Sequence, residues 1–192
     1  MPRLTLAPPI GAFLDLIALS ENTANSPVTK DDGYDMLVAG IYGPSRFTDS
    51  STHPFHHGRP PIIVRDAQPA LYGEPDPLQP GVPRLIRGPI PKRISTAAGR
   101  YHITLPTWYH LEAVRTLGTF SPHNQDTGAL QLLIECHAYE AIERGDIQVA
   151  IEAAAFTWFS LPASLKAAGP RTLTWLLSTY DECVRAIQAK EA

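Results

Sequence analysis

Apolar residues return at helical spacing close to the N-terminus of this chain. Ile10, Leu14 and Ile17 fall at i, i+4 and i+7, Phe13 lies four residues before Ile17, and Glu21 continues the same face. The pattern predicts a short apolar helix from about Gly11 to Glu21, after an extended leader over residues 1–9 that contains Pro8 and Pro9. Residues 22–53 lose this period. They are rich in Asn, Asp, Gly, Ser and Thr around short runs such as YDMLV at 34–38, which suits a small irregular hairpin region. Residues 54–91 hold ten of the nineteen prolines, so they predict a long ordered loop or flap with one strand at Ile62, Ile63 and Val64.

Helical spacing resumes after Ser95. Pro106 marks one helix start and Gly118 its stop, and Ser121 with Pro122 forms an N-cap and first-turn pair for a further short helix. Leu130, Leu133, Ile134, His137 and Ala141 make one stripe that ends near Gly145. Asp146 is placed to cap a helix with its stripe at Ile147, Ala150, Ile151, Ala154, Ala155 and Trp158. Pro170 opens a last helix with Leu173, Leu176, Leu177, Tyr180, Val184 and Ile187 on one face. The fold class predicted is α+β and predominantly helical: a single domain over 1–192 with a small β-hairpin region and a Pro-rich insertion at 54–94.

Composition narrows the partners. Hydrophobic residues make up 44% of the 192 residues, enough for a core, and the net charge of −3 argues against a nucleic-acid partner. Residues 54–94 carry six basic against three acidic side chains, a local +3 on a body that is therefore −6. A basic loop on an acidic body suits an anionic polymer, and any solvated loop has the same composition. Cys136 and Cys183 sit in apolar helical contexts with no disulfide framework, the usage of a reducing cytosol. No apolar run reaches membrane-spanning length, and the N-terminus lacks the pattern of a signal peptide.

The candidate chemistry begins at Glu21. A Glu that ends a buried stripe sits at the edge of the core, where desolvation raises a carboxyl pKa and suits it to general-acid work. A helix-end Glu turned into solvent fits the same spacing. His53, His56 and His57 have the spacing of a loop metal site but no Cys nearby, and no metal or cofactor is assigned. Asp31, Asp32 and Asp35 lack the later ligand positions of a calcium loop. Cys136 and His137, adjacent in a helix, diverge by about 100° and do not form a nucleophile–base pair. Cys136 reads as a small buried hydrophobe, and Arg144, Gly145 and Asp146 as a helix stop followed by a cap.

Seven segments carry more specific information when taken in order. They are AFLDLIALSENT at 12–23, DGYD at 32–35, FTDSSTHP at 47–54, STAAGRY at 95–101, FSPHNQDTGALQ at 120–131, RGDIQVAI at 144–151 and WFSLP at 158–162. The set resembles the phage lambda-type endolysins, which are lytic transglycosylases. The resemblance implies a lysozyme-like fold and cleavage of peptidoglycan glycan strands between N-acetylmuramic acid and N-acetylglucosamine. It places the family's acid on Glu21, which protonates the leaving oxygen and then, as carboxylate, takes the proton of the muramyl C6 hydroxyl as a 1,6-anhydro ring closes. Unlike the usual two-carboxylate glycosidases, this scheme needs no second acidic residue.

Ser20, Tyr34, Asp35, Arg100, Tyr101, Gln125 and Ser160 are the substrate-binding candidates, each with a structural alternative. Tyr101 lines a cleft or fills the core. Arg100 meets a stem-peptide carboxylate or a structural ion pair. Asp35 suits turn chemistry beside Gly33, and Gln125 and Asp126 open a helix where an acidic side chain is favourable anyway. The chain departs from the family pattern at Asn22 for Gly, Leu19 for Trp, His102 for Gln, residues 163–169 in place of a Gly-rich lower lip, and an enlarged upper lip between His53 and Ser95. These departures leave open a lysozyme-fold module that binds glycan or protein without catalysis, and a hydrolytic muramidase. The partners implied are glycan strands and, through 54–94, another protein such as a phage structural protein. The location implied is the host cytoplasm until other factors release the protein to the periplasm, or the virion.

Overall fold

The computed structural model describes residues 2, 4–75, 83–162 and 171–191, and for 72–75, 83–85 and 191 the backbone alone. Residues 163–169 and Pro170, expected as an altered lip and a helix start, lie outside the described residues. The first helix, α1 (Pro8–Ser20), begins before Gly11 and takes in the end of the expected leader. Pro8 and Pro9 occupy the first turn, where a missing amide hydrogen leaves no bond unmade and the fixed φ is already helical. Residues 10 to 18 are all buried, so α1 is wrapped on every side rather than along one stripe. The last helix, α6 (Leu173–Glu191), packs along it, with the Phe13 and Tyr180 rings edge-on at 6.4 Å.

Among the described residues, six strands follow α1 as three antiparallel pairs. β1 (Met36–Gly40) and β2 (Gly43–Arg46) form the expected hairpin, with Tyr42 at its exposed tip. β3 (Ile62–Arg65) pairs with β6 (Arg93–Ser95), and between them β4 (Leu71–Pro75) pairs with β5 (Pro83–Arg87). The Pro-rich insertion is therefore a two-tier ladder and not a loop holding one strand. The pairing escaped local reading because Ile63 faces Ile94 across about thirty residues of chain. Pro75 and Pro83 face each other at one end of the inner pair, where the ladder needs no amide donor. The root of the arm is fixed to β1: the Ile41 amide donates to the Ile63 carbonyl at 2.9 Å, and Gly40 lies so close to Ile62 that a Cβ there would come within 2.6 Å of its Cγ2.

The helical half starts with α2 (Leu105–Arg115), capped by Thr104 and ended by left-handed Thr116, two residues before Gly118. α3 (Pro122–Glu135) is capped by the Ser121 hydroxyl, which accepts from the Asn124 amide. The single stripe expected over 130–141 is broken. His137 takes a left-handed φ of +61° and is exposed, and the chain restarts as α4 (Ala138–Glu143). The buried face of α3 is instead Gln125, Asp126, Ala129, Leu132 and Leu133. Cys136 thus ends a helix rather than sitting inside one, and burial pushes its thiol above the usual range. α5 (Ile147–Ala154) follows, but Asp146 makes no cap bond to it and accepts from the Arg144 guanidinium at 3.3 Å. The helices close around α1 and give the α+β, mainly helical architecture that the pattern predicted.

Candidate active site

Glu21 sits in a built turn. The Asn22 amide donates to the Leu19 carbonyl and the Thr23 amide to the Ala18 carbonyl, the paired bonds of a Schellman helix end with Glu21 as its C-cap. Asn22 takes the left-handed position at φ +57°. Glycine favours that conformation and Asn is among the side chains that tolerate it, so the Gly-to-Asn departure keeps the backbone course. The Thr23 hydroxyl lies 3.0 Å from the Ala18 carbonyl and 2.5 Å from that of Arg100, tying the helix end to a loop 77 residues away.

That loop, residues 99–102, is closed at its base by two bonds between Ala98 and Ile103, at 3.0 and 2.9 Å, and held to β1 by the Gly99 amide on the Met36 carbonyl. Gly99 has φ +75°, and a Cβ there would meet Gln125 Oε1 at 2.2 Å. The loop presents His102, also left-handed, to the carboxylate: Nδ1 lies 2.7 Å from Glu21 Oε2. Both side chains are mostly covered, 15% exposed for Glu21 and 14% for His102. They border an open groove of about 360 Å³ whose other walls include Asn22, Asn25, Met36, Ala39 and Pro44.

The remaining candidates divide into two groups. Ser20 is buried, donates to the Ile17 carbonyl and meets the Ser160 hydroxyl at 2.8 Å, so Ser160 is held against the residue that precedes Glu21. Tyr34, Arg100, Tyr101 and Gln125 are each 0–1% exposed and lie beneath the surface, where direct contact with a sugar has no room. Tyr34 and Tyr101 both donate to Asp126 Oδ1 at 2.7 Å, and burial beside that carboxylate pushes both phenols far above their usual range. Arg100 is locked on Asp15 at 2.6 Å and on Asp32 at 3.0 Å, and its guanidinium lies over the Tyr34 ring. Gln125 accepts from the Arg100 amide and donates to the carbonyls of Tyr34 and Phe120. Asp35 accepts from the Thr29 hydroxyl and the Lys30 amide, which fixes its own loop.

The sequence pattern did not single out His102 as a partner of Glu21, nor Asp15 as a partner of Arg100. Asp15 left a trace, since a charge between Leu14 and Leu16 in an apolar helix demands a partner. His53, by contrast, is a core residue. Its Nε2 bonds the Ile103 carbonyl at 3.0 Å while its ring packs edge-on against Phe120.

The arrangement is one carboxylate at the rim of a groove, on a frame of buried tyrosines, and proteins that match most of the chain are known. The family model described as Endolysin matches residues 11–68 and 82–185. This chain belongs to the endolysin family. The endolysin of Escherichia phage P2 is 39% identical over 165 residues, covering 85% of this chain and 86% of its own. That of Escherichia phage lambda is 34% identical over 154 residues, covering 80% and 77%. Among solved structures, bacteriophage lambda lysozyme complexed with a chitohexasaccharide superposes with a TM-score of 0.64 at 30% identity, over 94% of this chain and 96% of the other. A second structure of lambda lysozyme gives 0.59 at 27% identity over 97% and 96%. Family membership makes this protein a lysozyme-like glycosidase that degrades peptidoglycan.

Proposed function

We propose that this endolysin-family enzyme is a murein lytic transglycosylase with Glu21 as its acid and base. The observation that carries the reading is the composition of the groove. Among the described residues that line it, Glu21 is the single carboxylate, its neighbours being Asn22, Asn25, Ser26, Pro27, Met36, Leu37, Ala39, Pro44 and His102. A two-carboxylate glycosidase holds its pair about 5–9.5 Å apart across the bond, and this groove offers no such partner. With one group, the internal hydroxyl at muramyl C6 is the natural nucleophile. Glu21 gives its proton to the glycosidic oxygen as the C1–O bond breaks. The C6 oxygen then bonds to C1 and its proton returns to the Glu21 carboxylate.

In this scheme half-buried Ser160 meets a sugar hydroxyl, and buried Ser20, hydrogen-bonded to it, holds it in place. Tyr34, Arg100, Tyr101 and Gln125 act from below by holding the 99–102 loop. The lambda structure complexed with a chitohexasaccharide supports a glycan occupant of the groove. No helix among the described residues is long and apolar enough to cross a membrane, and release from the host cytoplasm to the wall by other factors belongs to the same reading.

Digestion of purified sacculi tests it. Wild type should release anhydro-muropeptides, one water lighter than hydrolytic products by mass spectrometry. Glu21→Gln should slow release by about 10²–10⁴-fold, the usual worth of a positioned acid–base group. Products carrying the extra water make the enzyme a hydrolytic muramidase, and a fully active Glu21→Gln ends the assignment of the acid.

A further inference from the structure

We propose that the arm carries a carboxylate-binding site, centred on Arg65 and Arg93, that holds the peptide stems of a glycan strand lying in the Glu21 groove. The inference rests on the glycan occupant given above. Among the arm residues described with side chains, the cations are Arg59, Arg65, Arg87, Lys92 and Arg93, all exposed, and the one carboxylate is Asp66. None of these cations is in an ion pair among the described residues. On the body, by contrast, Arg46, Arg100 and Arg144 meet carboxylates at 3.8, 2.6 and 3.3 Å. Arg65 donates to the Pro91 carbonyl and Arg87 to Gln68, bonds that leave both charges uncompensated. Composition alone fits any solvated loop, and the strand register separates the two cases. Arg65 and Arg93 face each other directly across the β3–β6 ladder. Like charges so opposed weaken a ladder, and a carboxylate between them removes the repulsion.

The pair stands beside the groove. Arg93 is two residues from Ser95, which pairs with Ile62, so it lies on the ladder face that Ile62 turns toward Gly40. Ile62, Tyr42 and Pro44 line one hollow of about 360 Å³, and Pro44 also borders the groove of Glu21. A strand that fills the groove thus has the root of the arm at its side. Peptidoglycan divides its chemistry between strand and stems. The sugars carry uncharged hydroxyls and amides, because the lactyl carboxyl of each muramic acid is joined as an amide to its stem. The stems carry the carboxylates. Two guanidiniums on one face offer planar donors to such a group, and bonds of that kind are stronger than neutral ones. The groove then reads the sugars and the arm reads the peptides. Ile86 and Ile94, exposed beside these cations, give an anionic lipid surface a hold as well. The anchorage of the arm on a wall of the groove favours the substrate's own carboxylates.

Binding is measured with full-length Glu21→Gln, the variant expected to cut slowly, on soluble glycan strands that keep their stems and on the same strands stripped of them by an amidase. At low salt this parent should hold the stem-bearing strands about tenfold tighter, on the order of one hydrogen bond to a charged group. The gap should narrow as salt is raised. Arg93→Glu in the same background should close the gap. It sets opposite charges across the ladder and supports pairing with Arg65, so its melt should not fall below the parent's. Arg185→Glu, an equal change of charge on the exposed side of α6, should leave the gap open. Equal affinity of the parent for both strands, a gap that survives Arg93→Glu, or one that Arg185→Glu closes as well overturns the proposal. Where the gap survives and Arg93→Glu instead loses binding to phosphatidylglycerol vesicles, the arm belongs to a membrane. Binding to neither strand overturns the glycan occupant together with this site. Hydrolytic products from wild-type digestion end the transglycosylase reading and leave the stem gap as it stands.

Discussion

The turn that carries Glu21 and the arm over residues 54–94 are built by opposite means. In the turn, polar side chains reach far along the sequence: Thr23 to Arg100 across 77 residues, Arg100 to Asp15 across 85, Tyr34 to Asp126 across 92. Every one of these residues is at most 8% exposed. In the arm the side-chain bonds are local and wet: Arg87 to Gln68 across 19 residues and Arg65 to the Pro91 carbonyl across 26. Several of its apolar side chains face outward, with Ile86 62% and Ile94 56% exposed, while Phe55 at its root is buried. The difference teaches where precision resides. A buried bond between distant segments fixes geometry, because neither partner can return to water without leaving the other uncompensated. An exposed ladder keeps its shape through the backbone and leaves its surface free for contact.

Substitution can break that comparison most sharply at Arg100. Arg100→Met removes the guanidinium that joins Asp15 and Asp32 and should cost about 3–5 kcal/mol in urea unfolding, as for other broken buried pairs. A loss under 1 kcal/mol, on the order of a surface pair, would erase the distinction between the two regions. The next effect is on pH. His53 stands at the root of the arm but is buried, and burial lowers its imidazole from 6.5 to about 4. Its neutral form stabilises the fold above about pH 6.5, where the unfolded chain's imidazole is neutral too. As the pH falls from 6.5 toward 4 the unfolded chain takes up the proton first, so up to about 3 kcal/mol is lost in that window. Unfolding curves at pH 7 and 4.5 for wild type and His53→Phe check this, and equal pH slopes in both would refute it.

Gly99→Ala asks how tightly the loop is held. The new Cβ would collide with the Gln125 oxygen that accepts from the Arg100 amide, at a left-handed φ, for a loss of about 1–3 kcal/mol. Glycan cleavage should fall more than stability if the loop positions His102. The smallest effect belongs to the arm. Arg87→Glu should leave the melt within about 0.5 kcal/mol of wild type, yet weaken retention on sacculi at low salt and less so at high salt. Retention unchanged at low salt would remove the arm's positive charge from wall binding.

Some features were legible because their cause is local. The apolar run ending on Glu21 and the helix starts at Pro106 and at Ser121 with Pro122 follow from spacing and cap chemistry within a few residues, whereas the stop expected at Gly118 came two residues earlier, at left-handed Thr116. The break at His137 was hidden: its left-handed backbone interrupts an apolar spacing that continues unbroken in the sequence, and what ends the helix is the fold around Ala138 and Ala141. Tyr34, Arg100, Tyr101 and Gln125 were recognisable as a group by their motifs, yet spacing could not say whether they faced a sugar or one another. Burial decided that in favour of one another.

The chain alone determined that an apolar helix would deliver one glutamate to the rim of a mainly helical domain, because helix period, capping and the favourable burial of apolar surface act over short distances. Which imidazole meets that glutamate, which carboxylate neutralises the buried arginine and which strands of the arm pair are contacts between residues tens of positions apart. Their energy exists once packing has excluded water and closed the loops between them, and so only the tertiary structure could decide them.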